Sequence, residues 1–335
     1  MCTAAMIKNS RGDVFFGRTM DFSYPLAPHV YKMPPNYEWI NTPGTFRLKN
    51  RYGYIGTGQD ISKIIFADGV NEAGLAAAVL YFPGYARYHN TPELEGNQQV
   101  SVAAVELVNF LLGMCSSVHD AATLLPTVRI TGAKDSITNS IAPLHWIIAD
   151  KTGACITVEP TEAGLQILDN PIGVLSNSPG FQWHMTNLRN YMNLTTSQQK
   201  ETQWDNVPLT PFGQGAGSLG LPGDYTPPSR FVRTAFLKSH TTIPDDKDAA
   251  ITACFHILES VTIPKGPVIT PENTADYTQY TAFLNLSTPE YYAKSYTNSQ
   301  IIQEPLSPIN TKDNSPLDLG PLIRPIKFPN LIPTQ

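Results

Sequence analysis

The 335-residue sequence has little cysteine: four residues, standing far apart at Cys2, Cys115, Cys155 and Cys254. So thin and scattered a set excludes a disulfide framework. Charge is scarce as well. Asp, Glu, Lys and Arg make up 15% of the chain, against about 25% in an average globular protein, which excludes the high-charge signature of disorder. Basic residues are outnumbered 23 to 28, giving a formal net charge of −5. With no basic stripe to neutralise phosphates, the sequence argues against a nucleic-acid partner. No apolar run approaches the ~18 residues that suggest a membrane span, and no internal repeat is visible. The first residues carry no basic segment, apolar stretch and small-residue cleavage site in succession. The expectation is therefore a cytoplasmic protein, long enough for two modest domains or one large one.

What the sequence does have is a cysteine at position 2. An initiator Met is commonly removed before a small residue, and its loss would leave Cys2 at the N-terminus. A free thiol titrates near 8.5 and an α-amine near 7.7–8.0, so one residue would then hold both a nucleophile and its base. N-terminal nucleophile enzymes activate a side chain in this way without a histidine. Residues 3–7 and 14–17 read as strands flanking the turn chemistry of Asn9-Ser10-Arg11-Gly12-Asp13. A hairpin centred there sets Cys2 opposite Thr19 or Met20, with Arg18 and Asp21 on either side. Arg18 would favour a thiolate and Asp21 could hold the amine. The bland reading makes Cys2 an accident and Arg-x-x-Asp a surface ion pair.

Further along, residues 25–50 read as a long loop, and residues 64–67 and 75–81 as buried strands around a turn at 68–74. Helical spacing appears at 102–112, 121–125 and 248–261. Strands are expected at 144–149, 155–159, 165–168 and 173–175, while 231–236 fits strand or helix. Successive hairpins with few long helices favour an α+β fold with largely antiparallel sheets. Seven prolines between Pro305 and Pro333 suit an extended arm or a disordered end better than a sheet ladder. This divides the chain into a domain at 2–300 and a proline-rich extension at 301–335.

Other patterns are weak. Cys115-x-x-x-His119 and Cys254-x-His256 lack the paired ligands of a structural zinc site, and His145 and Cys155 sit in strands. Residues 213–218 imitate a phosphate loop but no helix follows. The residue count leaves a papain-like Cys–His–Asn site open, although no local pattern places a histidine beside Cys2.

The opening MCTAAMIKNSRGDVFFGRTMDF resembles that of the choloylglycine hydrolase family, which contains bile salt hydrolases and penicillin V acylases. The likeness continues through DGVNEAGLAAAVLYFPGYA (68–86), APLHWIIAD (142–150), GVLSNSPGFQWHMTNLRNYM (173–192) and GLPGDYTPPSRFVR (220–233). It implies a four-layer αββα Ntn-hydrolase sandwich that hydrolyses linear amides without cofactor or metal. By the same resemblance Cys2 is the nucleophile, Arg18 and Asp21 surround it, Asn177 helps form the oxyanion hole and Arg230 completes the site. Taken alone, Asn177 would be a turn residue and Arg230 an ordinary carboxylate partner. Tyr81 stands where the bile salt hydrolases usually carry asparagine and the penicillin V acylases tyrosine, so the expectation is a penicillin V acylase. Bile salt hydrolase, acyl-homoserine lactone acylase and a non-catalytic scaffold keeping the fold are the alternatives. Met20, Phe22, Tyr24, Phe66 and Ile137 are candidates for an apolar substrate pocket, with core packing the competing use of each. Family members are often homotetramers, so a homo-oligomer acting on a small-molecule amide is expected.

Overall fold

The computed structural model describes residues 1–42, 44–89, 100–134, 140–307, 314–328 and 330. Two antiparallel sheets form its centre. The first has six strands in the order Val174–Leu175, Cys2–Lys8, Val14–Phe22, Tyr277–Asn285, Glu290–Ser295 and Asn298–Pro305. The second has eight: Gly164–Asp169, Cys155–Thr161, Leu144–Asp150, Leu75–Tyr81, Ile64–Asn71, Tyr54–Asp60, His29–Met33 and Leu317–Pro321.

Side-chain alternation along the strands builds the layers. Ala4, Met6, Val14 and Phe16 of the first sheet meet Val70, Ala76, Ala78 and Ile147 of the second in one core. The intervening Ala5, Ile7 and Phe15 turn outward to Ile251, Cys254, Phe255 and Leu258 of the helix Lys247–Glu259. On the far side, Phe66, Leu75, Ala77 and Trp146 pack against Leu107, Val108 and Leu111 of the helix Leu107–Met114. The result is an α+β sandwich in four layers, αββα. The helix Pro227–His240 also packs on the first strand.

The hairpin register matches the expectation, with Cys2 opposite Met20. Residues 231–236 are helical; the prolines Pro227 and Pro228 suit the start of that helix, where the N–H groups have no intrahelical partner. Two expectations need correction. The stretch from Pro25 to Asn50 contains the strand His29–Met33 and the ribbon Glu38–Ile40/Arg47–Lys49, so it is not one long loop. The proline-rich end also joins both sheets. Asn298–Pro305 runs across the boundary expected at residue 300, and Leu317–Pro321 adds an edge strand beside His29–Met33. An edge strand leaves one flank unpaired, where a proline's missing N–H costs nothing.

Candidate active site

Cys2 begins the first strand, and alternation splits its surroundings in two. Cys2, Arg18 and Met20 turn into the space between the sheets, whereas Thr3 and Asp21 turn toward Arg230 of the helix Pro227–His240. On the inter-sheet side, Arg18 Nη2 donates to Cys2 Sγ at 2.8 Å and to Met20 Sδ at 3.6 Å. Arg18 Nε donates to the Thr19 carbonyl at 3.0 Å, and Nη1 lies 3.4 Å from both the Ala67 carbonyl and Asp68 Oδ2. Asp68 accepts two further hydrogen bonds, from Tyr280 Oη at 2.6 Å and Tyr291 Oη at 2.9 Å. Arg18, Asp68, Tyr280 and Tyr291 are all buried. Burial opposes the charge on Arg18, but Cys2, Tyr280, Asp68 and Asp21 outweigh it and raise the guanidinium above its ordinary range.

On the backbone side, the Cys2 N–H donates to Asn177 Oδ1 at 2.8 Å, and Arg230 Nη2 donates to the same oxygen at 2.6 Å. Asn177 Nδ2 donates to the Tyr81 carbonyl at 2.6 Å. Arg230 Nη1 donates to the Cys2 carbonyl at 2.6 Å and also bonds Thr3 Oγ1. Burial lowers Arg230 from its ordinary range, opposed by Asp21 and Cys2; an arginine so lowered still carries its charge at neutral pH. The structure therefore brings Cys2, Arg18, Asp21, Asn177 and Arg230 together, as the sequence motifs imply.

Asp21 differs in detail from its expected use. Its carboxylate accepts from Thr278 Oγ1 at 2.6 Å and Thr19 Oγ1 at 3.3 Å, and lies 3.7 Å from Arg230 Nη1. Burial pushes this carboxyl up, opposed by Arg230, the terminal ammonium and Thr278. With Met1 in place it is the Asp21 backbone that meets the terminus: its carbonyl accepts from the Met1 ammonium at 2.6 Å, and its N–H donates to the Met1 carbonyl at 3.0 Å. The ammonium also pairs with Asp276 Oδ2 at 3.2 Å.

The other three thiols lie in different surroundings. Burial pushes Cys115 and Cys155 up to about 12, and raises Cys254 as well. Among the described residues, no group of three or more His, Cys, Asp or Glu could hold a metal ion.

The expected pocket residues divide. Met20 touches Arg18; Phe22 and Tyr24 pack edge to face with ring centroids 4.6 Å apart, partly exposed. Tyr81 ends its strand 36% exposed, with its carbonyl on Asn177. Phe66 is a correction: it is fully buried against Tyr31 and Tyr54 beneath the helix layer, across the second sheet from Cys2. Ile137 lies outside the described residues.

Sequence reasoning missed the support around this group. Asp68 falls within the turn expected at 68–74, but the strand Ile64–Asn71 continues through it. Its tyrosine partners stand more than 200 positions away, so no local pattern signals the contact. His184 was also missed. It is fully buried, stacked on Phe231, with Nε2 2.8 Å from the Asn177 carbonyl. Burial lowers it to about 4, partly opposed by that hydrogen bond, so the neutral ring donates from Nε2. The motif around Phe181–Asn187 was its one visible signal.

Comparison with known proteins agrees with this geometry. Residues 2–316 match the linear amide C–N hydrolases of the choloylglycine hydrolase family. A bile salt hydrolase/transferase from Clostridium perfringens is 39% identical over 90% of this chain and 91% of its own. A crystal structure of a conjugated bile acid hydrolase variant from Clostridium perfringens superposes with a TM-score of 0.90 at 34% identity, covering 99% of this chain and 100% of the other. A penicillin V acylase from Pectobacterium atrosepticum is 25% identical over 91% of this chain and 81% of its own. The chain is thus a member of the choloylglycine hydrolase family, with an Ntn-hydrolase fold, and hydrolyses linear amide C–N bonds.

Proposed function

We propose that this amidohydrolase cleaves conjugated bile acids, releasing the steroid carboxylic acid and an amino acid such as glycine or taurine. The observation that carries this reading is the near full-length similarity, at 39% identity, to a bile salt hydrolase/transferase. It displaces penicillin V acylase, which the sequence reading favoured on Tyr81; the penicillin V acylase relative is only 25% identical, and one position is a thinner warrant than 306 aligned residues.

Removal of Met1 turns the Cys2 amide nitrogen into an α-amine and frees the Asp21 carbonyl and Asp276. That amine takes the thiol proton as sulfur attacks the amide carbonyl, beside the Arg18 guanidinium. Asn177 Nδ2 spends one hydrogen on Tyr81; an amide nitrogen carries a second, which donates to the developing oxyanion. Collapse breaks the C–N bond, and the leaving amine takes the proton from the α-amine. Water then hydrolyses the thioester, releasing the acid and restoring the thiol. Arg230 holds Asn177 and the Cys2 carbonyl in place, and Asp21 balances its charge.

A side-by-side panel tests the substrate. Glycine- and taurine-conjugated bile acids are expected to give a kcat/KM at least ~10-fold above phenoxymethylpenicillin or an acyl-homoserine lactone, a difference of only about 1.4 kcal/mol in transition-state binding. Preference for phenoxymethylpenicillin would overturn the bile acid reading and return weight to Tyr81.

A further inference from the structure

We propose that Asp68, held by Tyr280 and Tyr291, is a positioning residue that balances Arg18 and thereby limits how strongly Arg18 draws a proton off Cys2. This rests on the reading of Cys2 as nucleophile. Arg18 lies between two partners: Cys2 Sγ, 2.8 Å from Nη2, and Asp68 Oδ2, 3.4 Å from Nη1. A lone guanidinium 1% exposed beside a sulfur would favour the thiolate strongly. A carboxylate on the other side of the same guanidinium opposes that pull. The two tyrosine hydroxyls spread the carboxylate's charge, and Tyr291 Oη in turn contacts Thr57 Oγ1.

The balance serves the chemistry. A thiolate made too stable is a poorer nucleophile, its reactivity falling with a Brønsted slope of about 0.4–0.5. A thiol that keeps its proton until the α-amine removes it retains that reactivity. Among the described residues, Tyr280 also interacts with Cys2; the other charged groups around it are Asp21 on its own hairpin, Arg230 on the helix, and the terminal amine with its partner Asp276. They lie on the backbone side and stay constant when Asp68 is changed. Arg18 also stays in place, because the Thr19 and Ala67 carbonyls accept from it independently of Asp68.

The test is the pH dependence of iodoacetamide alkylation at Cys2 on the chain lacking Met1, located by peptide mapping, together with hydrolysis kinetics. Asp68→Asn keeps the shape and removes the charge. It should lower the pH of half-maximal alkylation by about one unit, cut the high-pH plateau rate about threefold, and reduce kcat with KM unchanged. Tyr291→Phe should act in the opposite sense, raising the midpoint by a few tenths of a unit, because the carboxylate loses a donor. An unmoved or raised midpoint in Asp68→Asn overturns the proposal. If that variant does not fold, an unmoved or lowered midpoint in Tyr291→Phe does so. Alkylation needs no amide substrate, so inactivity toward bile acids with the predicted shifts would sink only the substrate assignment.

Discussion

Arg18 Nη2 stands 2.8 Å from Cys2 Sγ, on the inter-sheet face of a hairpin that pairs Cys2 with Met20. The other three thiols are each pushed up by burial. This contact is what supports the proposal of Cys2 as the nucleophile. Arg18→Gln should lower kcat at least ~100-fold, measured by release of the amine product. The same change strands Asp68, and breaking a buried ion pair typically costs about 3–5 kcal/mol. Denaturant unfolding should show a loss of that size; an unchanged midpoint would contradict the pairing.

Asn177→Ala removes the side chain shared by Cys2, Arg230 and Tyr81. Loss of an oxyanion donor typically costs about 10²–10³ in turnover, so kcat is expected to fall by that factor with KM nearly constant. Steady-state kinetics on the preferred substrate decide it. A rise in KM at constant kcat would place Asn177 in ground-state binding instead.

His184 gives the fold a pH dependence of definite sign. Its pKa is near 4 in the folded chain and 6.5 in the reference state, so the unfolded chain binds the extra proton in between. Stability from this group is complete above about pH 6.5 and is lost as pH falls through 4, amounting to ~3 kcal/mol. Unfolding free energies measured between pH 7 and pH 4 should fall by that order. His184→Gln should flatten the slope in this window, and an equal slope in the variant would refute the assignment.

Gly17 tests the packing that carries Arg18. A Cβ there would sit 2.5 Å from the Phe283 ring and 2.7 Å from the Ala282 carbonyl on the adjoining strand. Overpacking of this kind costs about 1–3 kcal/mol. Gly17→Ala should lower Tm by several degrees in calorimetry, and an unchanged Tm would mean the strands spread freely.

Much of the site was legible because it is local or carried by motifs. The turn chemistry of residues 9–13 sets the register that brings Cys2, Arg18 and Asp21 together, and alternation then sends Arg18 and Asp21 to opposite faces. Asn177 and Arg230 were visible only through resemblance, since no spacing rule links them to Cys2. Asp68, Tyr280 and Tyr291 were not legible: a carboxylate inside a strand is intelligible only once its cation and both hydroxyls are seen around it. The strand Leu317–Pro321 was hidden for another reason. Proline content argues against a sheet interior and says little about an edge.

The proposed attack by Cys2 with the help of its own freed α-amine is tested most directly by intact-mass spectrometry paired with activity. Chains purified with and without Met1 should differ by one methionine residue in mass. Amide hydrolysis is expected only in the form lacking Met1; full activity in a chain whose mass retains Met1 would contradict attack by Cys2 with its own α-amine.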